Sequence, residues 1–170
     1  MGIVTYRTEI DDLPKRMTPA GANMDREVML KWMVRGMENS VDIIEEVWRG
    51  LAEPHRDTGE YDASMHTLVS VAGDSVQGDV WNDAPHADIL ELGSGLYRHG
   101  AGNRGMIRPR RAKVLAFDSK KLGRTIFTRS VRGQRPKWFG RNARIASRLK
   151  VKIAQQSAAR MAAREMRASL

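Results

Sequence analysis

The chain has 170 residues, a formal net charge of +9 and no cysteine. A length of this order predicts one domain with its own core. The lack of cysteine excludes a disulfide framework and a thiolate metal site. No apolar run approaches the roughly 20 residues of a membrane span, and the N-terminus lacks the apolar segment of a secretory signal. We therefore expect a soluble protein, made in the cytoplasm, without a membrane partner.

Charge is divided between the two halves of the sequence. Residues 1–95 contain 8 basic and 18 acidic residues, a net charge of −10, whereas residues 96–170 contain 21 and 2, a net charge of +19. Such a division indicates either an anionic partner for the basic half or contact between the halves. In a ring of identical subunits, the acidic face of one copy can meet the basic face of the next.

The N-terminal third predicts a strand followed by a long helix. The β-branched residues of 3–10 favour a strand, and residues 1–17 are expected to form an arm that either pairs with a neighbour's sheet or frays. A helix is predicted from Pro19 to about Ala52, beginning at Thr18 or at Asn23. Its apolar residues recur at three- and four-residue steps, and we assign this stripe to the core: Leu30, Met33, Met37, Val41, Ile44, Trp48 and Leu51.

Two strands are predicted next, over residues 64–71 and 75–81, with a turn at Ala72-Gly73-Asp74 between them. Strands joined by so short a turn are antiparallel. The order of elements therefore predicts an α+β fold. We expect a small antiparallel sheet, with the long N-terminal helix packed on it and a basic C-terminal helix.

The stretch from Pro85 to Phe139 is rich in glycine and arginine. A short apolar and acidic segment, Ala87–Leu92, precedes a loop over residues 93–105 whose five glycines predict mobility in the free protein. Ala112–Phe117 then predicts a buried strand, and Arg124–Val131 alternates apolar and polar residues as a half-buried strand does. The linker between these strands ends in glycine and predicts a hairpin.

The C-terminal segment predicts a second helix that begins near Pro136. Its thin apolar stripe consists of Ile145, Leu149, Met161 and either Ile153 or Val151. The basic residues around the stripe are Arg141, Arg144, Arg148, Lys150, Lys152, Arg160, Arg164 and Arg167. A helix so basic and so weakly amphipathic is expected to project or to pack on another subunit. We thus predict a single domain with a core over 18–143 and a projecting basic helix over 144–170.

The residues that carry chemistry elsewhere form no catalytic constellation here. The four histidines lie far apart, without a pair at the spacing of helical metal ligands. The glycines after residue 92 do not follow a phosphate-binding pattern, and no nucleophile elbow surrounds Ser94. A hydrolase built on His86, Asp88 and Glu91 has little support, since Glu91 is expected to fix the loop by accepting hydrogen bonds. We predict no enzyme activity, no cofactor and no metal.

The basic half also suits contact with nucleic acid. Lysine and arginine neutralise phosphates, and aromatic residues such as Trp138 and Phe139 can stack on exposed bases. These two lie together beside Pro136, which favours anchoring of a helix over stacking. No helix-turn-helix or RNA-recognition signature is present. The alternative function is therefore a small basic protein that binds nucleic acid without sequence specificity.

A series of short motifs extends from Thr58 to Ala143. They are Thr-Gly-x-Tyr-x-x-Ser at 58–64, Val-Trp-Asn at 80–82 and then, in order, Ala87, Glu91, Gly93, Ser94, Ile107, Pro109, Ala112, Lys113, Leu115, Phe117, Pro136 and Phe139. Their order and spacing resemble the neck or tail-completion proteins of long-tailed bacteriophages. The chain departs from that family at His86, where a tyrosine is usual, and at 137–139, where Lys-Trp-Phe replaces Pro-Phe-Leu.

The resemblance implies a structural virion protein that forms a ring, six-fold in number, at the head–tail junction. Its partners would be its own copies, the adjacent head-connector and tail-tube or tail-terminator proteins, and non-specifically the duplex DNA in the lumen. Such a ring, assembled in the host cytoplasm, joins the DNA-filled head to the tail. The contact residues expected in the loop are Glu91, Gly93, Arg98, His99, Arg104 and Arg108, and those expected on the basic helix are Trp138, Phe139, Arg141, Arg144 and Arg148.

Overall fold

The computed structural model describes residues 8–9, 26–55, 59–73, 75–99, 105–119 and 122–168. Contacts within the chain divide it into two compact units. The body unit comprises Met1–Ala84 and Phe139–Leu170, and the inserted unit comprises Pro85–Trp138. A chain for which length predicts one domain therefore carries a separate unit between its N-terminal part and its last helix.

Helix α1, Arg26–Ala52, is the longest element of the N-terminal part of the body unit. A 3₁₀ turn, Glu53–His55, and a four-residue helix α2, Glu60–Ala63, follow it. The predicted apolar stripe is largely confirmed, because the buried residues of α1 are Met29, Met33, Gly36, Met37, Ser40, Val41, Ile44, Trp48 and Ala52. The assignment of Leu51 to this buried stripe is wrong, because Leu51 is 37% exposed and its neighbour Ala52 is buried instead. Both predicted starts, Thr18 and Asn23, lie outside the described residues.

A three-stranded antiparallel sheet packs against α1. It contains β1 (Thr8–Glu9), β2 (Met65–Ala72) and β3 (Ser75–Asn82), in the order β1-β3-β2. The predicted hairpin is confirmed, with Ala72 opposite Ser75 at its closed end. The described part of the N-terminal arm pairs with this chain's own sheet, Thr8 opposite Gly78. The rest of the predicted arm, residues 1–7 and 10–17, lies outside the described residues.

The alternation of side chains gives this sheet one covered face and one open face. Val76, Gly78, Val80 and Asn82 of β3 are buried. Gly78 lies so close to α1 that an added Cβ would meet Val41 Cγ1 at 2.6 Å and Met37 Sδ at 2.7 Å. The covered face therefore packs on α1, and the residues between these, such as Trp81, point the other way. The predicted α+β arrangement of a sheet with a long helix on it is confirmed.

The last element of the body unit is the helix Phe139–Ala168, which packs along α1. Its buried residues are mostly small: Phe139, Gly140, Ala143, Ser147, Val151 and Ala162. At one crossing point, a Cβ added to Gly36 would lie 2.8 Å from Ala158 Cβ. The predicted projection of residues 144–170 is therefore wrong for the described part, 144–168. Small residues allow this helix to approach α1 closely without a stripe of large apolar residues.

The inserted unit contains a short helix and a hairpin. Helix α3, Ala87–Leu92, is followed by a 3₁₀ turn at Gly95–Tyr97. Strands β4 (Leu115–Ser119) and β5 (Arg124–Thr128) then pair antiparallel, as the sequence predicts. With α3 placed, the helix Phe139–Ala168 is α4. The predicted burial of residues 112–117 is wrong, because all but Leu115 of them are exposed, and Phe117 is 43% exposed.

Candidate interaction surfaces

Two backbone segments of the inserted unit, 93–96 and 132–134, are held side by side. The Ser94 N–H donates to the Gln134 carbonyl at 2.9 Å, and the Gln134 N–H donates to Ser94 Oγ at 2.9 Å. The Leu96 N–H donates to the Arg132 carbonyl at 2.8 Å. A Cβ at Gly95 would clash with the Arg132 carbonyl oxygen, and one at Gly133 with that of Ser94. We call these two segments the glycine clasp.

The clasp fixes the first part of the predicted mobile loop. Gly93 ends α3 with φ 79°, a conformation that favours glycine, and its N–H donates to the Ile89 carbonyl at 2.9 Å. The His99 N–H donates to the Leu92 carbonyl at 2.9 Å, so residues 93–99 return to the end of α3. Residues 100–104, which include Arg104, lie outside the described residues. Gly93, one of the predicted contact residues of the loop, thus fixes the course of the backbone at the end of α3 and offers a partner no side chain.

The other predicted loop residues lie in different settings. Glu91 is 1% exposed on α3, where a carboxylate persists only if hydrogen bonds or ion pairs replace its lost hydration. Arg98 Nη2 lies 3.7 Å from Asp88 Oδ2, and the His99 ring packs edge-on against Trp138 at 5.0 Å. Arg108 is exposed. Arg98 and His99 therefore engage different partners, Asp88 and Trp138.

An arginine pair around Tyr97 escapes sequence analysis. The Arg135 guanidinium lies 5.3 Å from the Tyr97 ring centroid. Hydrogen bonds from Arg132 and then Arg135 lower the pKa of the Tyr97 phenol from its ordinary value of 10.0. The partners are 35 and 38 positions apart in the chain, so no local pattern brings them together. The hydrogen bonds of the glycine clasp bring Tyr97 close to Arg132 and Arg135.

Most large apolar side chains of the inserted unit lie on its surface. Within the described part of this unit, only Ala87, Glu91 and Gly93 are buried. The exposed large apolar residues are Ile89, Leu96, Met106, Ile107, Val114, Phe117, Leu122 and Phe127. Phe127, the fourth of the five residues of β5, is the most exposed of these at 68%. The unit is therefore held by backbone hydrogen bonds more than by an apolar core.

The predicted basic-helix contacts divide between the two units. Trp138, half-buried with φ 56°, ends the inserted unit, and Phe139, 5% exposed, begins α4 in the body unit. The Phe139 ring lies 5.4 Å from His55 and 6.1 Å from Tyr61. Phe139 therefore anchors the start of α4 and offers no stacking surface. The exposed members of the set are Arg141, Arg144 and Arg148 on α4.

The apolar stripe predicted on α4 exists but faces solvent. Ile145, Leu149 and Ile153 are 63%, 69% and 57% exposed. Their spacing of four places them in one row on the helix. The residues packed towards α1 form a different row, Ala143, Ser147 and Val151. We call the exposed row the outer stripe of α4.

The open face of the three-stranded sheet is a surface that sequence analysis missed. His66 and Trp81 stack at 5.4 Å, and His66 Nε2 lies 3.2 Å from Asp83 Oδ2. Leu68, two residues along β2, is 52% exposed, and Asp79 lies opposite it. The sequence contains no lysine or arginine between residues 57 and 97, so the part of this face formed by β2 and β3 carries acidic groups without lysine or arginine. The sequence feature that could have revealed this surface is the alternation of His66 and Leu68 with residues of β2 that face α1.

The part of the chain that the structure describes shows neither a metal-binding cluster nor a membrane-spanning helix. Its residues include no group of three or more histidine, cysteine or acidic residues that could hold a metal ion. None of the helices in that part of the chain is long and apolar enough to cross a bilayer. Comparison with protein-family models, with curated proteins and with solved structures yields no match.

Proposed function

We propose that the protein is a structural component of a tailed phage, a neck or tail-completion protein that forms a ring at the head–tail junction. The observation that supports this most is the exposure of large apolar side chains on the inserted unit. A two-stranded hairpin is marginally stable alone, and large apolar side chains left exposed on it indicate a surface that a partner covers. Phe117 and Phe127, 43% and 68% exposed, lie on opposite faces of the hairpin of β4 and β5, so each face presents an aromatic ring to solvent.

The placement of the resemblance motifs supports the same proposal. The motif residues between Ala87 and Pro136 all fall within the inserted unit. Gly93 and Ser94 belong to the glycine clasp, where a side chain at Gly93 would meet the Tyr97 carbonyl oxygen at 2.8 Å. Part of the resemblance motif thus lies in the glycine clasp, the hydrogen-bonded backbone of the same unit that contains β4 and β5.

In the proposed mechanism, the protein does no chemistry and acts by contact alone. The body unit supplies the frame, and the inserted unit offers its apolar hairpin to the neighbouring copy or the adjacent ring. Loss of the protein would leave filled heads and tails that do not join. Duplex DNA in the lumen of the ring would contact the exposed arginines of α4 without sequence specificity.

The exposed residues Arg141, Arg144 and Arg148 favour one other candidate, a basic protein that binds nucleic acid without sequence specificity. Phosphate contacts of this kind weaken steeply as salt rises. The outer stripe argues for a protein partner, since Leu149 gains nothing from a phosphate. A DNA-binding titration over a salt series separates the two candidates, because a dedicated binder holds duplex DNA at moderate salt.

The test is the assembly state of the purified protein, by light scattering and negative-stain electron microscopy. Rings are expected for the wild type. Phe127→Ser and Phe117→Ser should keep the melting temperature within a few degrees, as surface changes usually do, and should reduce ring formation. Leu51→Ser is the matched control, an exposed leucine of the body unit that should leave the rings unchanged. A wild-type protein that stays monomeric at all concentrations would overturn the proposal.

A further inference from the structure

Two uncovered surfaces of the body unit are complementary to each other. We propose that the outer stripe of α4 in one copy docks on the open face of the sheet in a second copy. The inference rests on the proposed ring and identifies the contact between its subunits. It uses residues of the body unit and is independent of the apolar surface of the inserted unit.

The first argument is the apolar content of both surfaces. Ile145, Leu149 and Ile153 are each more than half exposed, and they lie on the side of α4 that does not face α1. On the sheet, Leu68 is 52% exposed beside the stacked pair of His66 and Trp81. Removing such side chains from water is the main favourable contribution in protein association.

The second argument is shape. A sheet with a helix on one face and an open second face lacks a layer that many folds possess. Ile145 and Ile153 are eight residues apart, about 12 Å along a helix at ~1.5 Å per residue. Three strands at a spacing of ~4.8 Å span about 10 Å between the outer two. The outer stripe is thus long enough to cross the sheet.

The third argument is charge. Helix α4 carries eight basic residues and one acidic residue, Glu165. The open sheet face carries Asp79 and Asp83, in a stretch without lysine or arginine. Opposite charges around an apolar centre favour this pairing and oppose pairing of two α4 helices, whose arginines would repel. Charge complementarity therefore selects the sheet of a second copy as the occupant.

Within a single copy, the outer stripe of α4 cannot contact the open face of the sheet. Helix α4 packs on α1 through Ala143, Ser147 and Val151, and the sheet packs on α1 through its covered face. The outer stripe and the open face therefore point away from α1. A contact between two different surfaces is heterologous, and it closes into a ring when the rotation between copies allows.

Cross-linking tests the contact directly, because the chain has no native cysteine. Leu149→Cys and Leu68→Cys proteins are mixed under mild oxidation, and a disulfide between copies requires Cα atoms within about 7 Å. The mixture is expected to give a cross-linked heterodimer, whereas each protein alone stays uncross-linked. Met161→Cys mixed with Leu68→Cys is the control, since the exposed Met161 lies about 18 Å beyond Leu149 along α4 at ~1.5 Å per residue. A Leu149→Cys homodimer without a heterodimer would overturn the inference.

A second pair of variants measures the energetic contribution. Leu149→Asn and Leu68→Asn should each weaken association by roughly tenfold or more, as loss of a buried leucine implies. Val71→Asn, at an exposed site on the other face of β2, should not. If the wild type forms rings and both asparagine variants form them equally well, this contact is excluded while the ring proposal stands. If the wild type forms no rings, both proposals fail.

Discussion

At the residue scale, Gly36 determines how closely α1 and α4 approach. An alanine Cβ there would lie 2.8 Å from Ala158 Cβ, which is fixed by its own helix backbone. Alanine is favoured over glycine in a helix by about 1 kcal/mol, but overpacking costs ~1–3 kcal/mol. We therefore expect Gly36→Ala to lower the free energy of unfolding, measured by urea denaturation.

Gly50 provides the matched control for this substitution. It lies in the same helix, is exposed, and an added Cβ would meet nothing within 4 Å. Gly50→Ala should therefore raise the free energy of unfolding by about 0.5–1 kcal/mol. Ala158→Gly should restore part of the loss in Gly36→Ala. Equal stabilisation by both alanine substitutions would contradict the close approach of the helices.

Glu165 connects α4 to α1 and makes this connection sensitive to acid. The Lys31 ammonium donates to Oε1 at 2.7 Å and the Trp32 indole N–H donates to Oε2 at 2.6 Å. These bonds hold the pKa of Glu165 below its ordinary value of 4.5. A carboxyl with a lowered pKa stabilises the folded state above its unfolded pKa, and this contribution is lost as pH falls through the folded pKa.

The expected result is a pH-dependent difference between wild type and Glu165→Gln. The wild type should melt higher above about pH 5, and the gap should narrow as pH falls below the ordinary carboxyl pKa of ~4.5. Thermal unfolding over pH 3–7 measures this. Glu38→Gln, at an exposed site on α1, is the control for removing one carboxylate from the surface. A gap that stays constant over the whole series would show that the Glu165 charge does not contribute.

At the element scale, strong periodicity decided which predictions succeeded. The stripe from Met33 to Trp48 and the alternation of β2 and β3 are long, regular patterns, so α1 and the hairpin could be predicted from sequence. Helix α4 has two rows, and periodicity favoured the row of large residues. The small residues pack against α1 instead, because close helix contact requires little volume. Sequence alone does not rank a small row above a large one.

The two rows of α4 lead to a direct prediction. Ala162 is 2% exposed in a cluster with Met29, Met33 and Met37, whereas Leu149 is 69% exposed. Ala162→Leu should destabilise the protein by roughly 1–3 kcal/mol through overpacking. Leu149→Ala should change stability by less than about 0.5 kcal/mol, as exposed substitutions usually do. Chemical denaturation of monomeric protein compares them, and the reverse order of effects would refute the assignment of the rows.

At the scale of the whole molecule, composition marked the stretch that forms the inserted unit, although length predicted a single domain. The stretch from Pro85 to Phe139 stands out by composition and matches the inserted unit within one residue. Its exposure could not be predicted, because the glycine clasp pairs residues such as Ser94 and Gln134 that lie 40 positions apart. The outer stripe and the open sheet face likewise depend on which surfaces α1 covers. Local patterns contain no information on that choice.

In the proposed ring, the charge division acts between copies more than across α1 and α4. The ion pair between these helices, Lys31 with Glu165, opposes the prevailing charge of each half of the sequence. Arg148 of α4 is exposed, where it can meet an acidic group of a neighbouring copy. Exposed charges more than about 8 Å apart are largely screened from each other at 0.15 M salt. Association between copies should therefore weaken as salt rises from low concentration.

Salt should not abolish association, because the apolar part of the contact is not screened. We expect the dissociation constant, measured by light scattering over a salt series, to rise and then level off. In Arg148→Gln, the dissociation constant should rise less over the low-salt part of the series, since one exposed charge is removed. Leu149→Asn should raise the dissociation constant at every salt concentration and keep the same slope. Association that strengthens steadily with salt would mean that an apolar interface acts alone and that the charge division does not order the subunits.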